Sequence, residues 1–488
     1  MDINKFIKEH LDTPTDVIAE LQNGMPNGAP DADMYKKDID VLLHNVNDRT
    51  VRKDKLIKID DQAMADAQQV TGGGEPQARY RTEPVARIAL ALQKLITKRA
   101  VAFAFGNEPA MYADTDDEQQ MNVLQTVKKV LSATKTKSVN RAVANDVFSA
   151  TEAAELWYVE DKPNTLYGFE SNSKLRVQIL SPLNGDTLYP YFNEFGDMTA
   201  FSRTFTRTDT NKRKIQYFEA YTDELILLYE QKESGEMELA GGYPKTNALG
   251  KIPVIYAAQS AVEWADVQNL IDRLEKLLSN FADTNDYHAS PKIFVTGQIE
   301  GWAKKGESGA VIQGEEGATA QYLSWAQAPE SVRLEIETLL RMIYTITQTP
   351  DISFDTMRTI GAVSGTALRL LFIDAHLKVQ EKAAIFEAYL QRRVNVILAF
   401  LKLMNARDAE FVKAANDIVV ECELQPYMVD DLTTKVNTLM AATGQKAIMS
   451  RKTAVNELNF VNNTEEELAQ IESEEAGGQM ADIFEPTE

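Results

Sequence analysis

The clearest hydrophobic pattern in the chain lies in AVEWADVQNLIDRLEKLLSNFAD, where apolar side chains fall at Val267, Ile271, Leu274, Leu278 and Phe281. Steps of four and three keep them on one face of a helix, and such a face predicts a seam for a second helix. PESVRLEIETLLRMIYTITQ repeats the arrangement at Val332, Ile336, Leu339, Ile343 and Ile346, with Pro329 and Glu330 suited to a first turn. At 1.5 Å per residue each helix is expected to be roughly 30 Å long. The insert between them, SPKIFVTGQIEGWAKKGESGAVIQGEEGATAQYLSW, is dense in glycine and carries β-branched and aromatic runs. It reads as a compact strand-rich tip on a two-helix stalk.

Upstream, from Ala154 to about Ile255, the runs LWYVE, LRVQIL, AFSRTFTRT, KIQYFEAYT and ELILLYEQ are short, β-rich and separated by turn residues, which predicts antiparallel strands. The first 60 residues, with turn signals in NGMPNGAPDAD and the basic cluster TVRKDKLIK, read as surface helices and loops. EPVARIALALQKLITKRAVAFAF opens on an acid and a proline, as helices do, and is expected to end as a strand; a second amphipathic helix is predicted over Met121 to Phe148. Downstream, PDISFDTMRTIGAV has no sustained period and is predicted to be a loop. Apolar positions 367, 371, 375, 379, 383, 386, 390, 394, 397, 401 and 404 then mark one helix of about 40 residues beginning near Ser364, on the order of 60 Å long. DIVVECELQP is expected to be a strand, VDDLTTKVNTLMAATG and SRKTAVNEL helical, the latter capped by Ser450. Nine acidic residues and no lysine or arginine follow Thr464, the composition of a solvated, partly disordered tail.

Charge and chemistry narrow the function. The chain has 51 Lys and Arg against 73 Asp and Glu, a net charge of -22, the wrong sign for gripping nucleic acid by its phosphates. No apolar stretch approaches the roughly 20 residues of a membrane span, and MDINKFIKEHLDTPTD lacks the pattern of a secretory leader, so the chain is expected in the cytoplasm where it is made. Cys422 is the only cysteine, and the histidines at 10, 44, 288 and 376 offer no zinc spacing; no cofactor is expected. IGAVSGTALRLLF invites a phosphate-loop reading. Gly361 is followed by only three residues before Gly365, Thr366 comes directly, and the lysine such a loop needs is absent. Gly361 and Gly365 are better read as a loop hinge, with Ser364 as helix cap. His288 after Asp283 and Asp286 could suggest a metal; a histidine in a last helical turn is favoured by the helix dipole alone. Adjacent acids (Asp60-Asp61, Glu315-Glu316, Asp430-Asp431) point apart, and Lys212-Arg213-Lys214 reads as a solubilising hairpin tip. No catalytic arrangement can be assembled locally.

The order of these parts resembles the portal proteins of tailed double-stranded DNA phages, specifically the siphophage type. The residues that carry the resemblance are TEPVARIALALQKLITKRAVAFAFGNEP, NALGKIPVIY, VQNLIDRLEKLLSNFADTNDYHASPKIFVTG, SGTALRLLF and ELQPYMVDDLTTKVNTLM through MSRKTAVNEL. The resemblance implies an α+β portal fold: a mixed α/β wing at 1–258 with 364–425, stem helices at 259–288 and 328–349, and a small β-rich clip at 289–327. A tunnel loop at 350–363 and a helical crown with acidic tail at 426–488 complete it. It also implies a dodecameric ring at one capsid vertex, assembled in the host cytoplasm, through which double-stranded DNA passes. Asp351, Phe354, Asp355, Met357 and Arg358 would stand at the channel. The clip, around Trp302, Lys304 and Lys305, would dock the terminase large subunit and then a head-completion adaptor, while major capsid and scaffolding proteins surround the ring. Two other readings stand beside it: an ATP-using packaging enzyme built on the glycine-serine stretch, and a different ring-forming virion protein.

Overall fold

A computed structural model describes the chain except for residues 1, 25–31, 59–79, 289–291, 297–298, 302–312, 315–318, 324–327, 353–371, 428–431, 445, 459, 462 and 484–488. Two compact units result, one of Met1–Pro350 with Ala375–Tyr427, the other of Asp351–Asp374 with Met428–Glu488.

In the larger unit all five predicted runs form antiparallel strands. Met237–Leu239, Leu225–Gln231, Lys214–Thr222, Met198–Thr208 and Thr187–Phe192 lie side by side, with Lys245–Thr246 also on Leu225–Gln231. A second sheet orders Val254–Ala258, Glu152–Asn164 and Ser171–Leu180. The strand Thr187–Phe192 was not foreseen, because Pro190 argues against an interior strand; it occupies the edge of its sheet, where a missing N–H costs nothing. The amino-terminal helices Ile3–Glu9 and Pro14–Asn23 correct the surface reading of this region. Ile3, Ile7, Val17 and Leu21 are buried against Ala200, Phe218, Leu227 and Tyr229. The basic cluster contains a strand, Lys55–Lys58, paired with Tyr80–Glu83.

Three helical expectations change. Leu92–Phe105 is helical to its end, with no terminal strand: Ala100, Phe103, Ala104 and Phe105 are all buried, so this turn shows no polar face to mark its period. The Met121–Phe148 stretch is two helices, Glu118–Ala133 and Thr136–Ala150, broken where Lys135 takes a left-handed conformation at φ 55°. The long helix is described over Ile373–Met404, 32 residues or about 48 Å, after a turn at Phe372. Ala375, Val379, Phe386, Leu390, Val394, Ile397 and Leu401 form its buried face, as the period predicts. Ser364 and residues up to 371 lie outside the described residues. Within DIVVECELQP only Glu421–Glu423 is a strand, paired with Ala110–Tyr112.

The two seam helices are Gln268–His288 and Ala328–Ile346. Val267, Ile271, Leu274, Leu339 and Ile343 join Leu92, Ile96 and Trp264 in one buried cluster. Ile346 departs from the pattern: it is 50% exposed, because the helix ends there and the chain turns away. Between the helices, Lys292–Thr296 pairs with Thr319–Leu323 and Ile299–Gly301 with Gln313–Gly314.

The smaller unit holds the helices Leu432–Ala442, Arg451–Leu458 and Thr464–Ile483. Ser450 Oγ accepts the Thr453 N–H at 3.1 Å, as its cap signal predicts. The acidic tail is helical rather than disordered as far as Ile483. Asn463 caps it by accepting the Glu465 N–H at 3.2 Å, Glu465, Glu466 and Glu467 sit in the first turn where the helix dipole favours them, and Arg451 and Lys452 pair with Glu475 and Glu465. Among the described residues no helix is long and apolar enough to cross a membrane.

Candidate functional site at the helix pair and the ends of the 350–363 segment

Of the proposed channel residues, Asp351 is described and half-buried. Phe354, Asp355, Met357, Arg358, Gly361, Ser364 and Gly365 lie outside the described residues, as do Trp302, Lys304 and Lys305. What the structure defines is how the helix end before residue 350 and the long helix from Ile373 are held.

The outgoing end is a helix terminus closed by the backbone. Gln348 takes a left-handed conformation, φ 50°, its N–H donates to Thr345 O at 3.2 Å, and the Thr349 N–H reaches back to Tyr344 O at 2.9 Å. This is the Schellman closure, with glutamine where glycine is usual. Buried Thr347 adds its hydroxyl, donating to Ile343 O at 2.7 Å. Arg99 then donates to Pro350 O at 2.5 Å while its guanidinium lies over the Tyr344 ring, 5.6 Å from the centroid. The last carbonyls before the loop are therefore fixed from a neighbouring helix.

The described start of the long helix is tied to the same place. Lys378, in the second turn of the long helix, donates from Nζ to Thr347 O at 2.9 Å and pairs with Glu263 Oε2 at 2.5 Å. Lys382, one turn on, pairs with Glu263 Oε1 at 2.9 Å and donates to Gln259 Oε1 at 3.1 Å. The Glu263 side chain is 3% exposed. Burial disfavours its charge, yet the two ammonium groups outweigh that and hold its carboxyl below the usual range; burial in turn draws the Lys378 ammonium below the ordinary lysine value. One lysine thus bridges the strand-to-helix turn at Glu263, the outgoing helix and the returning helix.

The first seam helix is anchored by a second device. Glu275, Ser279 and Asp283 stand four residues apart on one face. Glu275 Oε1 accepts the Leu90 N–H at 2.8 Å, Ser279 Oγ the Ile88 N–H at 2.9 Å, and Asp283 Oδ1 the Ala86 N–H at 2.8 Å. Pro84 to Ala91 accordingly lies outside any helix, with alternate N–H groups turned to one side, and is not the helix start its sequence suggests. Arg52 locks the outer rung, donating to Asp283 Oδ2, Asn280 Oδ1 and Ala86 O, each at 2.8 Å. His44 locks the inner one, with Nδ1 2.7 Å from Glu275 Oε1 and Nε2 2.9 Å from Asp38 O. Burial opposes charge on this imidazole, but acceptors at both nitrogens outweigh it and raise its pKa. Asp283, weighed from sequence as a metal ligand, is consumed by this latch. None of these roles was read from sequence; the available signal was Glu-x3-Ser-x3-Asp running beside the apolar seam.

Residues 32–480 match the family described as phage portal protein, SPP1 Gp6-like. The chain belongs to this family of phage portal proteins. A portal protein is a structural, non-enzymatic component of the virion and its head-to-tail connector, so the ATP-using reading of the glycine-serine stretch falls away. No curated protein matches this portal chain. Three solved structures are similar to it at low identity. The neck of an empty GTA particle computed with C6 symmetry shares 8% identity over 76% of this chain and 89% of that chain, TM-score 0.40. The virion of a native gene transfer agent particle shares 9% over the same fractions, TM-score 0.38. The neck of a native GTA particle computed with C12 symmetry shares 10%, again over 76% and 89%, TM-score 0.38.

Proposed function

We propose that this portal chain assembles with copies of itself into a dodecameric ring at one capsid vertex and forms the channel for DNA packaging and ejection. The observation that carries the reading is that the family match takes in both seam helices, the strand-bearing insert and the long helix together. In this reading the helix pair is the stem, 289–327 the clip, 350–363 the tunnel loop, 426–488 the crown and acidic tail, and the remainder, 1–258 with 364–425, the wing. An acidic channel wall repels phosphate, so DNA slides instead of binding. The loop, carrying Asp351, Phe354, Asp355, Met357 and Arg358, touches DNA transiently, and Gly361 and Gly365 give its backbone freedom to rearrange. Hydrolysis belongs to the terminase large subunit, which docks on the clip around Trp302, Lys304 and Lys305 before a head-completion adaptor replaces it. Major capsid and scaffolding proteins meet the ring's outer parts during assembly in the host cytoplasm.

Negative-stain imaging of the purified protein should show twelve-fold mushroom-shaped rings; a compact monomer or another ring shape overturns the assembly. Replacing Phe354 and Met357 with alanine should leave rings intact and impair packaging or genome retention. Wild-type packaging by that variant removes the role given to the loop.

A further inference from the structure

The turn between the strands Thr187–Phe192 and Met198–Thr208 holds Phe195 out in solvent, 84% exposed, and among the described residues no aromatic side chain is more exposed. The turn is fixed from within: Asn193 Oδ1 accepts the N–H groups of Phe195 and Asp197, each at 2.9 Å, and Gly196, at φ 85°, donates its N–H to Asn193 O at 3.1 Å. One exposed ring is ordinary by itself. This one stands beside exposed Glu194, which is in no ion pair among the described residues, and exposed Asp197, whose charge nearby Arg392 partly offsets.

A groove of about 710 Å³ lies toward the other end of the strand Met198–Thr208, with Tyr158, Tyr243, Leu249, Leu403 and Met404 among its walls. Tyr158 is 43% and Leu403 49% exposed, so apolar wall faces water. The floor asks for no polar ligand: buried Arg203 meets Asp186 at 3.1 Å and Glu219 at 2.7 Å, and Glu219 also accepts the Tyr221 hydroxyl at 2.7 Å. The rim is cationic. Arg207 lies over the Phe205 and Tyr217 rings and Lys245 over Tyr243, and neither cation is ion-paired among the described residues. Setting Arg203, Arg207 and Lys245 against Asp186 and Glu219 leaves one positive charge, the complement of Glu194. At about 3.3 Å per residue, Asp197 and Arg207 stand roughly 30 Å apart along the strand. The fixed turn cannot fold back over that distance, so no copy fills its own groove.

We infer that the groove receives the hairpin tip of a second copy of this chain, with Phe195 against the apolar walls and Glu194 facing Arg207 and Lys245 at the rim. Knob and groove are different patches, so the contact is head-to-tail, the kind that repeats from copy to copy and closes into a ring. The contact presupposes the self-assembly of the portal chain and names residues that join neighbouring copies.

The test is sedimentation velocity of the purified full chain over a concentration series, with circular dichroism to confirm that each variant folds. Phe195→Ala and Leu403→Asp, both at exposed positions, should each raise the protomer concentration at half assembly by at least about tenfold. Glu194→Lys alone, and Arg207→Glu with Lys245→Glu, should also weaken assembly. The three charge reversals together should bring it back to within about threefold of wild type. Normal rings from both Phe195→Ala and Leu403→Asp overturn this contact and leave the ring standing. A wild-type chain that stays monomeric overturns the ring and this contact with it. A triple variant no better than the worse of its parents removes the tip from this groove.

Discussion

Lys378→Met tests whether one buried ammonium holds the end of the helix Ala328–Ile346 to the start of the long helix. The Glu263 and Lys378 side chains are 3% and 10% exposed, so solvent screens their interaction little. Removing one member of a buried pair costs about 3–5 kcal/mol, because the remaining charge is left uncompensated. Lys382 stays 2.9 Å from Glu263 Oε1, which puts the charge term at the low end, about 3 kcal/mol. Loss of the bond to Thr347 O adds about 1 kcal/mol. The chain divides into two units, so a single global unfolding curve would mix events; the measurement belongs at the residues concerned. Native-state hydrogen exchange at Gln348 and Thr349, whose N–H groups close the helix, should speed up about 1,000-fold, the factor corresponding to some 4 kcal/mol of local opening. Glu263→Gln combined with Lys378→Met removes both members of the pair but leaves Lys382 only Glu381 at 4.0 Å, so the double variant should be less damaged than the sum of the singles without returning to wild type. Exchange within about threefold of wild type in the single variant refutes the anchorage. A double variant as damaged as the sum of the singles refutes the charge pairing as its cause.

His44 titrates above its ordinary value because both ring nitrogens face acceptors. Its contribution to stability is therefore complete below the unfolded value of about 6.5 and is lost as pH rises through the folded pKa; a nuclear magnetic resonance titration placing His44 at or below 6.5 contradicts this. Ser279→Val removes the acceptor for the Ile88 N–H at a fully buried position and should cost about 1–3 kcal/mol. Exchange should accelerate most at Ile88, and an unchanged rate there sinks the ladder. Gln348→Gly relieves a left-handed residue and should stabilise the helix end by about 0.5–1 kcal/mol, slowing exchange at Thr349; faster exchange would show that the glutamine side chain, not the backbone, sets this turn.

Elements with one wet face were legible in the sequence. Val267, Ile271 and Leu274 mark their helix because Asn269 and Arg273 between them are exposed, and the strands alternate for the same reason. Legibility failed where the half-buried and exposed positions are as apolar as the buried ones, as with Val101 and Ala102 within Ala100 to Phe105, and where local preference lost to a distant partner, as at Pro84 to Ala91. A proline after an acid signals a helix start. Nothing local announces that Ala86, Ile88 and Leu90 will give their N–H groups to side chains almost 200 residues away. The site divided likewise: Asn463 capping an acidic helix is a local event that could have been read, whereas Lys378 meeting Glu263 and Thr347 is a product of tertiary packing.

The polar ladder explains why the seam helix needs more than its apolar face. Four helical residues advance about 6.0 Å and two extended residues about 6.6 Å. Three rungs from Glu275 to Asp283 therefore accumulate a mismatch of roughly 1.2 Å, which side chains of three different lengths absorb. A slip of the extended segment by one residue would turn the N–H groups of Ala86, Ile88 and Leu90 away from all three acceptors at once, whereas an apolar contact would merely repack. Hydrophobic burial thus supplies the attraction between the seam helix and the segment before Leu92, and the ladder supplies the register. The buried Glu263 with its two lysines fixes a second register, because it ties the end of the helix Ala328–Ile346 and the start of the long helix to the same point.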